Sequence, residues 1–532
     1  MAVVRAEYFE QCLRENRPFG HRAQIPPEFI IEGRKAAEQW YTFKSLFLVI
    51  VSYTWLSKEH PDPHMYHLPR LVGVLRLMYH PPLSMPGVIL DFCSFWQGTR
   101  TEQQEADFRE ALKVINVPYG HPDVTALKLT GTPEGERRGY DDRGWTKFES
   151  DVIATKAKAN GGELNILTCD SMQDKYDLLT LSRAHRRPPT TPERFEVELR
   201  ERGALAKSKG VDLFTNGKDQ PFIISKFREA FGQMTRDAPS LGWIGGLTWG
   251  EEEARSLSEV LPHYKSLTRL SLGGISIPPA GVETLARGLD ASATLRTTLK
   301  SLSLACMQLE QARTAALAPS IGLLRSLEEL NLEGNNLGRA ELELLAPSLT
   351  ALTNLKELHC RQNSLQRDGA EALAPIIATL TNLERLDLMS CDLGPAGMAA
   401  LAPSLGTLKN LEDLAISCNN IQQAGAEALA SSIGALKNLG ALWICDNDIQ
   451  QAGAEALAPS LAVLKNLDTC FLSDNNIQHA GAVALAPAVA AMRNLRVIQL
   501  CGNFKDNEEA GRVKAMLLKS AANKSLEVRI SD

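Results

Sequence analysis

The stretch "LEELNLEGNNL", Leu327 to Leu337, decides how the second half of this chain folds. Its leucines stand at the first, fourth and sixth places, with an asparagine at the ninth. The same phrase returns as "LKELHCRQNSL" from Leu355, "LERLDLMSCDL" from Leu383, "LEDLAISCNNI" from Leu411, "LGALWICDNDI" from Leu439, "LDTCFLSDNNI" from Leu467 and "LRVIQLCGNF" from Leu495. Successive starts lie 28 residues apart. Leu299 opens an earlier unit in the same register, and Leu267 opens one that is four residues longer. Each phrase precedes an alanine-rich helical segment such as "AGAEALAPSLAVLKN", so every unit reads as a strand and then a helix. The leucines point into a shared core, and the helix packs behind them through positions such as Leu429, Ile433 and Leu436. One unit cannot bury that face alone, so the units must stack into a solenoid. Asn335, Asn363, Asn419, Asn447, Asn475 and Asn503 recur at the ninth place, with Cys391 substituting once. A buried amide there can satisfy the backbone of the adjacent turn, which makes these asparagines a structural ladder.

The exposed strand face is what differs from one such stack to another. Its third, fifth and seventh places carry Glu329, Asn331 and Glu333, then Glu357, His359 and Arg361, then Arg385, Asp387 and Met389. Late units offer Ala441, Trp443 and Cys445, then Thr469, Phe471 and Ser473. Trp443 and Phe471 hold the same place in adjacent repeats, which sets them one strand spacing apart. Aromatic side chains rimmed by charge suit a protein partner. Trp443, Phe471, His359, Arg361, Arg385 and Asp387 are therefore candidate partner-binding residues. The alternative is that the chain's own first half covers them.

Ahead of the repeats, apolar runs of strand length alternate with helical patterns. "LFLVIVSY" (46–53), "GVILDF" (87–92), "DVTALKL" (123–129), "GELNILTCD" (162–170) and "GVDLFTN" (210–216) read as strands. Residues 65–80, 100–115 and 220–234 read as helices. That alternation implies a parallel sheet covered on both faces, with ligands held outside the carboxyl ends of its strands. The polar loop "TGTPEGERRGYDDRG" leads from one such end into "GWTKFESDVIATK". On a helix, Glu149 of this stretch lies on the apolar face, about 40° from both Trp145 and Ile153. Lys147 and Asp151 fall on the other side. A carboxyl so placed is satisfied by loop amides or an arginine (Arg137, Arg138 or Arg143), or it is kept for chemistry. His60, His64 and His67 in "EHPDPHMYH" have no further Cys/His signature beside them and read as a polar loop and helix start, not as a metal site.

The chain has 532 residues, 44% of them hydrophobic and 23% charged, which is enough for several domains with sizeable cores. A net charge of −6 and a pI near 6.0 give no pull toward nucleic acid. The opening "MAVVRAEYFEQCLREN" lacks the apolar core of a secretory signal, and the run Leu46–Val51 is too short to span a bilayer. Ten cysteines without a CxxC pair suggest reduced thiols in a cytoplasmic protein. "TNGKDQ", with Gly217 and Lys218, lacks the rest of a phosphate-binding loop.

From about Leu267 onward the repeats resemble a leucine-rich repeat domain of the ribonuclease-inhibitor type, whose parallel strands line the inside of a horseshoe. "LFLVIVSYTWL" resembles the first strand and following loop of a Toll/interleukin-1 receptor (TIR) domain, and "GWTKFE" resembles that family's W-x-x-x-E signature. "VILDFCSFWQ" followed by "RTEQQEADFREAL" is similar to heterokaryon-incompatibility (HET) domains of fungi, which are related in fold. No counterpart of the TIR loop after the second strand is found, and residues 170–208 read as an insertion. These resemblances imply an α/β protein in which a flavodoxin-like (TIR-like) parallel-sheet domain precedes an α/β leucine-rich repeat horseshoe. The expected organisation is an extension over 1–39, the TIR/HET-like domain over 40–235, a linker and repeat cap over 236–266, and repeats over 267–532 ending in a polar cap.

In catalytically active TIR domains the matching glutamate is required to cleave the bond between nicotinamide and ribose in NAD. The resemblance thus implies that Glu149 is catalytic and Trp145 positions it, while Ser52, Tyr53 and Trp55 line the nicotinamide side. NAD would be a substrate, with no cofactor required. The departing nicotinamide is already cationic and needs no general acid, whereas the positive charge that develops on ribose is stabilised by a carboxylate. The expected protein is a signalling molecule whose repeats bind a protein partner and whose first domain self-associates or cleaves NAD. A non-catalytic scaffold subunit of a large assembly is the alternative.

Overall fold

The computed structural model describes residues 1–79, 86–136, 138–156, 166–170, 177–183, 187–208, 210–214, 219–243, 245–521 and 525–530. The chain divides into two compact units, Met1–Leu267 and Thr268–Asp532.

In the second unit each phrase forms a three-residue strand, from Arg269–Ser271 and Ser301–Ser303 through Glu329–Asn331 and Glu357–His359 to Glu527–Arg529. Neighbouring strands are parallel, with Leu330 beside Leu358, Leu358 beside Leu386 and Leu386 beside Leu414. All four leucines are fully buried, as are Leu429, Ile433 and Leu436 from the returning helix and the residues that follow it. Helices such as Gln422–Ile433 and Gln450–Leu461 pack against one another behind the strands. The stack ends with helix Asn507–Ser520 and strand Glu527–Arg529, which pairs in parallel with Val497–Gln499.

The turn after each strand demands left-handed backbone. Cys418, Asn420 and Gln422 take φ of 58°, 49° and 56°, and Gly334 and Gly502 hold the place of Cys418 at 65° and 68°. The asparagine ladder fixes this turn. Asn419 Oδ1 accepts from Cys391 N at 2.9 Å, while its Nδ2 donates to the carbonyls of Leu388 at 2.7 Å, Ile416 at 2.9 Å and Ser417 at 3.2 Å. One amide thus satisfies backbone groups of two successive turns. Cys391 imitates the rung weakly. Its thiol donates to Cys360 O at 3.1 Å and accepts from Asn363 N. Sulfur is the poorer partner in both bonds, so Cys391→Asn should stabilise the unit by about 1 kcal/mol, read as a rise of a few degrees in Tm.

The first unit is built on six strands: β1 (Val3–Arg5), β2 (Ile30–Ile31), β3 (Leu48–Tyr53), β4 (Gly87–Ile89), β5 (Thr125–Leu129) and β6 (Ile166–Cys169), in the order β2-β1-β4-β3-β5-β6. Strands β4, β3, β5 and β6 are parallel, and β1 is antiparallel to both β2 and β4. Two cores result, because successive side chains of β3 face opposite ways. Val49, Val51 and Tyr53 pack with Leu71, Val74 and Phe9, while Leu48 and Ile50 pack with Phe148, Val152 and Phe227. Both faces of the sheet are therefore covered.

Two features depart from the sequence reading. Residues 1–39 supply the edge strand β2, its neighbour β1 and a helix, Ala6–Arg14, whose Tyr8, Phe9 and Cys12 are buried in the core. The expected strand at 210–216 does not form over its described residues 210–214. Leu213 O there accepts from Gly144 N at 3.1 Å and Arg138 Nη2 at 3.3 Å, so this backbone is spent on a helix start, not on a ladder. Over residues 236–266, expected as linker and repeat cap, strand Ser240–Gly242 stands at the end of the repeat sheet, and Glu252 and Glu259 of helix Glu251–Val260 pair with Arg194.

Candidate functional site

Helix Gly144–Ala154 carries Glu149 toward the carboxyl end of β3. Its start is packed so closely that a Cβ on Gly144 would overlap the Phe214 ring. Thr146 Oγ1 donates to the carbonyls of Tyr140 and Arg143, which ties the preceding loop to the first turn. Tyr140 is thereby placed beside Ser52. Ser52 Oγ lies 2.5 Å from Tyr140 Oη and donates to Glu149 Oε2, also at 2.5 Å. Tyr119 hydrogen-bonds the same carboxyl. Hydroxyls, then, satisfy Glu149. Of the arginines considered above, Arg143 pairs with Glu136 at 3.6 Å, Arg138 reaches Leu213 O, and Arg137 lies outside the described residues.

The structure brings Ser52 to Glu149 but sends its neighbours elsewhere. Tyr53 points to the opposite face of the sheet, and its hydroxyl donates to Asp91 Oδ1 at 2.6 Å. Trp55 Nε1 donates to Asp91 Oδ2 at 2.7 Å. Trp145 Nε1 donates to Asp219 Oδ2 at 3.0 Å, and its ring meets Phe148 and Phe222, so the tryptophan anchors helix Asp219–Asp237. Asp91, Tyr119 and Tyr140 were not singled out from the sequence. Asp91 was the most legible of them, being the one acid directly after an apolar strand in "GVILDF". His60 and His67 are structural: His60 Nε2 lies 2.7 Å from Phe19 O, and His67 Nε2 lies 2.9 Å from Thr54 O.

Burial raises the pKa of both carboxyls. Asp91 rises despite its hydrogen bonds, and Glu149 is pushed up to about 8, first by burial and then by the charge of Asp91. Ionisation of Glu149 starts near 4.5 in the unfolded chain, so between that pH and 8 the folded state holds the extra proton. Stability must fall as pH rises through this window. Glu149→Gln removes the titration and should gain about 2 kcal/mol over wild type at pH 9, a full shift discounted for the water that reaches this half-buried side chain. Thermal melts of both proteins at pH 4.5 and pH 9 check the sign: the gain should vanish at the lower pH.

On the strand face of the second unit, Trp443 and Phe471 stack with ring centroids 4.0 Å apart and planes inclined by 14°. Both rings are half-exposed. Arg385 lies 3.3 Å from Glu357 and 3.4 Å from Asp413, and His359 Nε2 lies 3.5 Å from Glu357. Asp413 also stands beside Trp443, which works to lower its pKa, so one carboxylate adjoins both the charged strip and the aromatic pair. Burial raises its pKa, against the pull of Arg385. Arg361 stands 3.9 Å from Glu333. Asp387 has a different use: its Oδ1 accepts from Met389 N at 3.0 Å and caps its own strand end.

A family model described as a leucine-rich repeat region matches residues 285–477. These are leucine-rich repeats. A solved internalin from Listeria monocytogenes is 18% identical, over 53% of this chain and 88% of that one, at a TM-score of 0.28. No curated protein matches the chain. Leucine-rich repeats serve protein–protein interaction, and the stacked pair and its charged neighbours lie on their strand face. Among the described residues, no helix is long and apolar enough to cross a membrane.

Proposed function

We propose that this chain recognises a protein partner on the strand face of its leucine-rich repeats, through Trp443, Phe471, Asp413, Arg385, His359 and Arg361. One observation carries this: two large, half-exposed aromatic rings stacked beside Asp413 and a row of charge. Stacked face to face, the rings hold each other fixed, and a partner's side chain can cover their paired edges at low entropic cost. The charged strip then sets orientation and on-rate. Repeats of 28 residues with a helix in every unit favour the ribonuclease-inhibitor type, in which this face is the inner one. Ten cysteines without a CxxC pair suit a reducing compartment such as the cytoplasm. The test is affinity capture with the whole chain and with its Trp443→Ala/Phe471→Ala variant side by side, then the Kd of each recovered protein for both baits. A partner retained by wild type and lost by the variant supports the proposal; equal affinities overturn it.

A second reading concerns the first unit, where the parallel order β4-β3-β5-β6 and the Ser52–Glu149 contact at a strand's carboxyl end favour a TIR-like domain that self-associates or cleaves NAD. If Glu149 stabilises a ribosyl cation, it must act as the carboxylate. With its pKa near 8 in the unliganded site, nicotinamide release should rise as pH passes from 7 to 9 and disappear in Glu149→Gln. Release of nicotinamide from NAD, assayed across that range, checks this. No release from the protein, free or tethered to bring copies together, leaves Glu149 a structural residue.

A further inference from the structure

A cavity of about 530 Å³ opens in the first unit beside helices Gly144–Ala154 and Pro192–Ser208 and the ends of β5 and β6. It is separate from the Glu149 carboxyl, although Tyr140 borders both. Seven acidic residues and five basic ones line it. Four of the bases are already matched: Lys147 with Asp151 and with Glu198 at 2.8 Å, Arg194 with Glu198 at 2.9 Å, Arg187 with Glu253 at 3.7 Å, and Arg202 with Asp141 at 3.9 Å.

Lys128 is the exception. It stands in the middle of the sheet, beside Ser52 on β3 and Thr168 on β6, and is only 7% exposed. Its ammonium makes no hydrogen bond and no ion pair among the described residues. Asp141, Asp151 and Asp170 attract it and Arg187 repels it, none of them in direct contact, while burial lowers its pKa to about 8. Thr190, also on the cavity wall, is 6% exposed and buries a hydroxyl that has no partner among the described residues. A desolvated cation without a counter-ion destabilises the fold that holds it. Such a group is retained where something else supplies the anion.

We infer that this cavity binds a small zwitterion whose single carboxylate pairs with Lys128 and whose cationic group faces the surplus acids of the wall. One negative charge is what the wall admits: there is one unmatched base, and a polyanion would meet carboxylates on every other side. The volume suits a molecule of amino-acid size or somewhat larger. Pairing with a carboxylate favours the charged form of Lys128, so binding takes up a proton near pH 8 and weakens as pH rises above it.

The experiment is calorimetric titration of the whole chain with free amino acids, acetate and inorganic phosphate, repeated with Lys128→Met. Binding of an amino acid that drops at least tenfold from pH 7 to pH 9 in wild type, and at least tenfold in Lys128→Met at pH 7, supports the inference. Lys128→Met should also melt a few degrees higher than wild type, because it removes the uncompensated charge; a merely structural lysine would give the opposite shift. Should the variant fail to fold, the wild-type pH profile alone decides. No binding of any amino acid at 10-millimolar order, binding indifferent to pH and to Lys128, or a preference for phosphate overturns it.

Discussion

Asn419→Ala is expected to cost about 4 kcal/mol and to lower the Tm of the second unit by roughly 12 °C. The amide is 1% exposed and bonds backbone groups on both sides of its turn. Alanine leaves those groups buried without a partner, each at about 1–3 kcal/mol, and some regain water as the turn loosens. The neighbouring Asn420 is the control. It is exposed with φ 49°, so Asn420→Ala meets only the left-handed penalty of about 1 kcal/mol. A differential melt of the two variants separates ladder from turn geometry. Equal destabilisation would mean that the turn conformation, and not the amide, holds adjacent repeats together.

Phe471→Ala and Trp443→Ala should each weaken partner binding by about 2–3 kcal/mol, roughly 30- to 150-fold in Kd. The two rings are in direct contact as one stack, so the double variant should lose less than the sum. Arg385→Ala should cost about 1 kcal/mol and do so mainly at low salt, because its side chain is half-exposed between Glu357 and Asp413. Thermal stability should hardly change in the three single variants, since every leucine of the core beneath stays in place. Titrations at two ionic strengths measure both contributions. A salt-dependent loss at Phe471 with none at Arg385 would reverse the assigned roles.

The second unit was legible because its signal is long and redundant: an apolar period repeated many times fixes strand, helix, core and ladder together. The Trp443–Phe471 stack followed from place alone. Asp413 did not, since its value lies in touching both Arg385 and Trp443, one repeat away on either side. In the first unit, the apolar helix face on which the sequence places Glu149 holds it half-buried among hydroxyls. Its partners were hidden, because Ser52 and Tyr119 come from distant segments that only the fold brings together. Tyr53 and Trp55 were taken with Ser52 as one wall, yet the alternation of β3 turns them to Asp91. Lys128 gave no signal at all. A lysine in "DVTALKL" carries no mark of what the fold sets around it, and both faces of this sheet are covered. The strands β2 and β1 that end the sheet on this side are two and three residues long, too short for any period to show.

The most direct measurement is site-specific photocrosslinking of the whole chain, with benzoylphenylalanine placed at Phe471 on the strand face or at Lys437, an exposed residue between helix and strand of the same repeat array. A covalent protein adduct from position 471, competed by unlabelled wild type and absent from 437, is the expected result. An adduct from 437 with none from 471 would contradict recognition on the strand face.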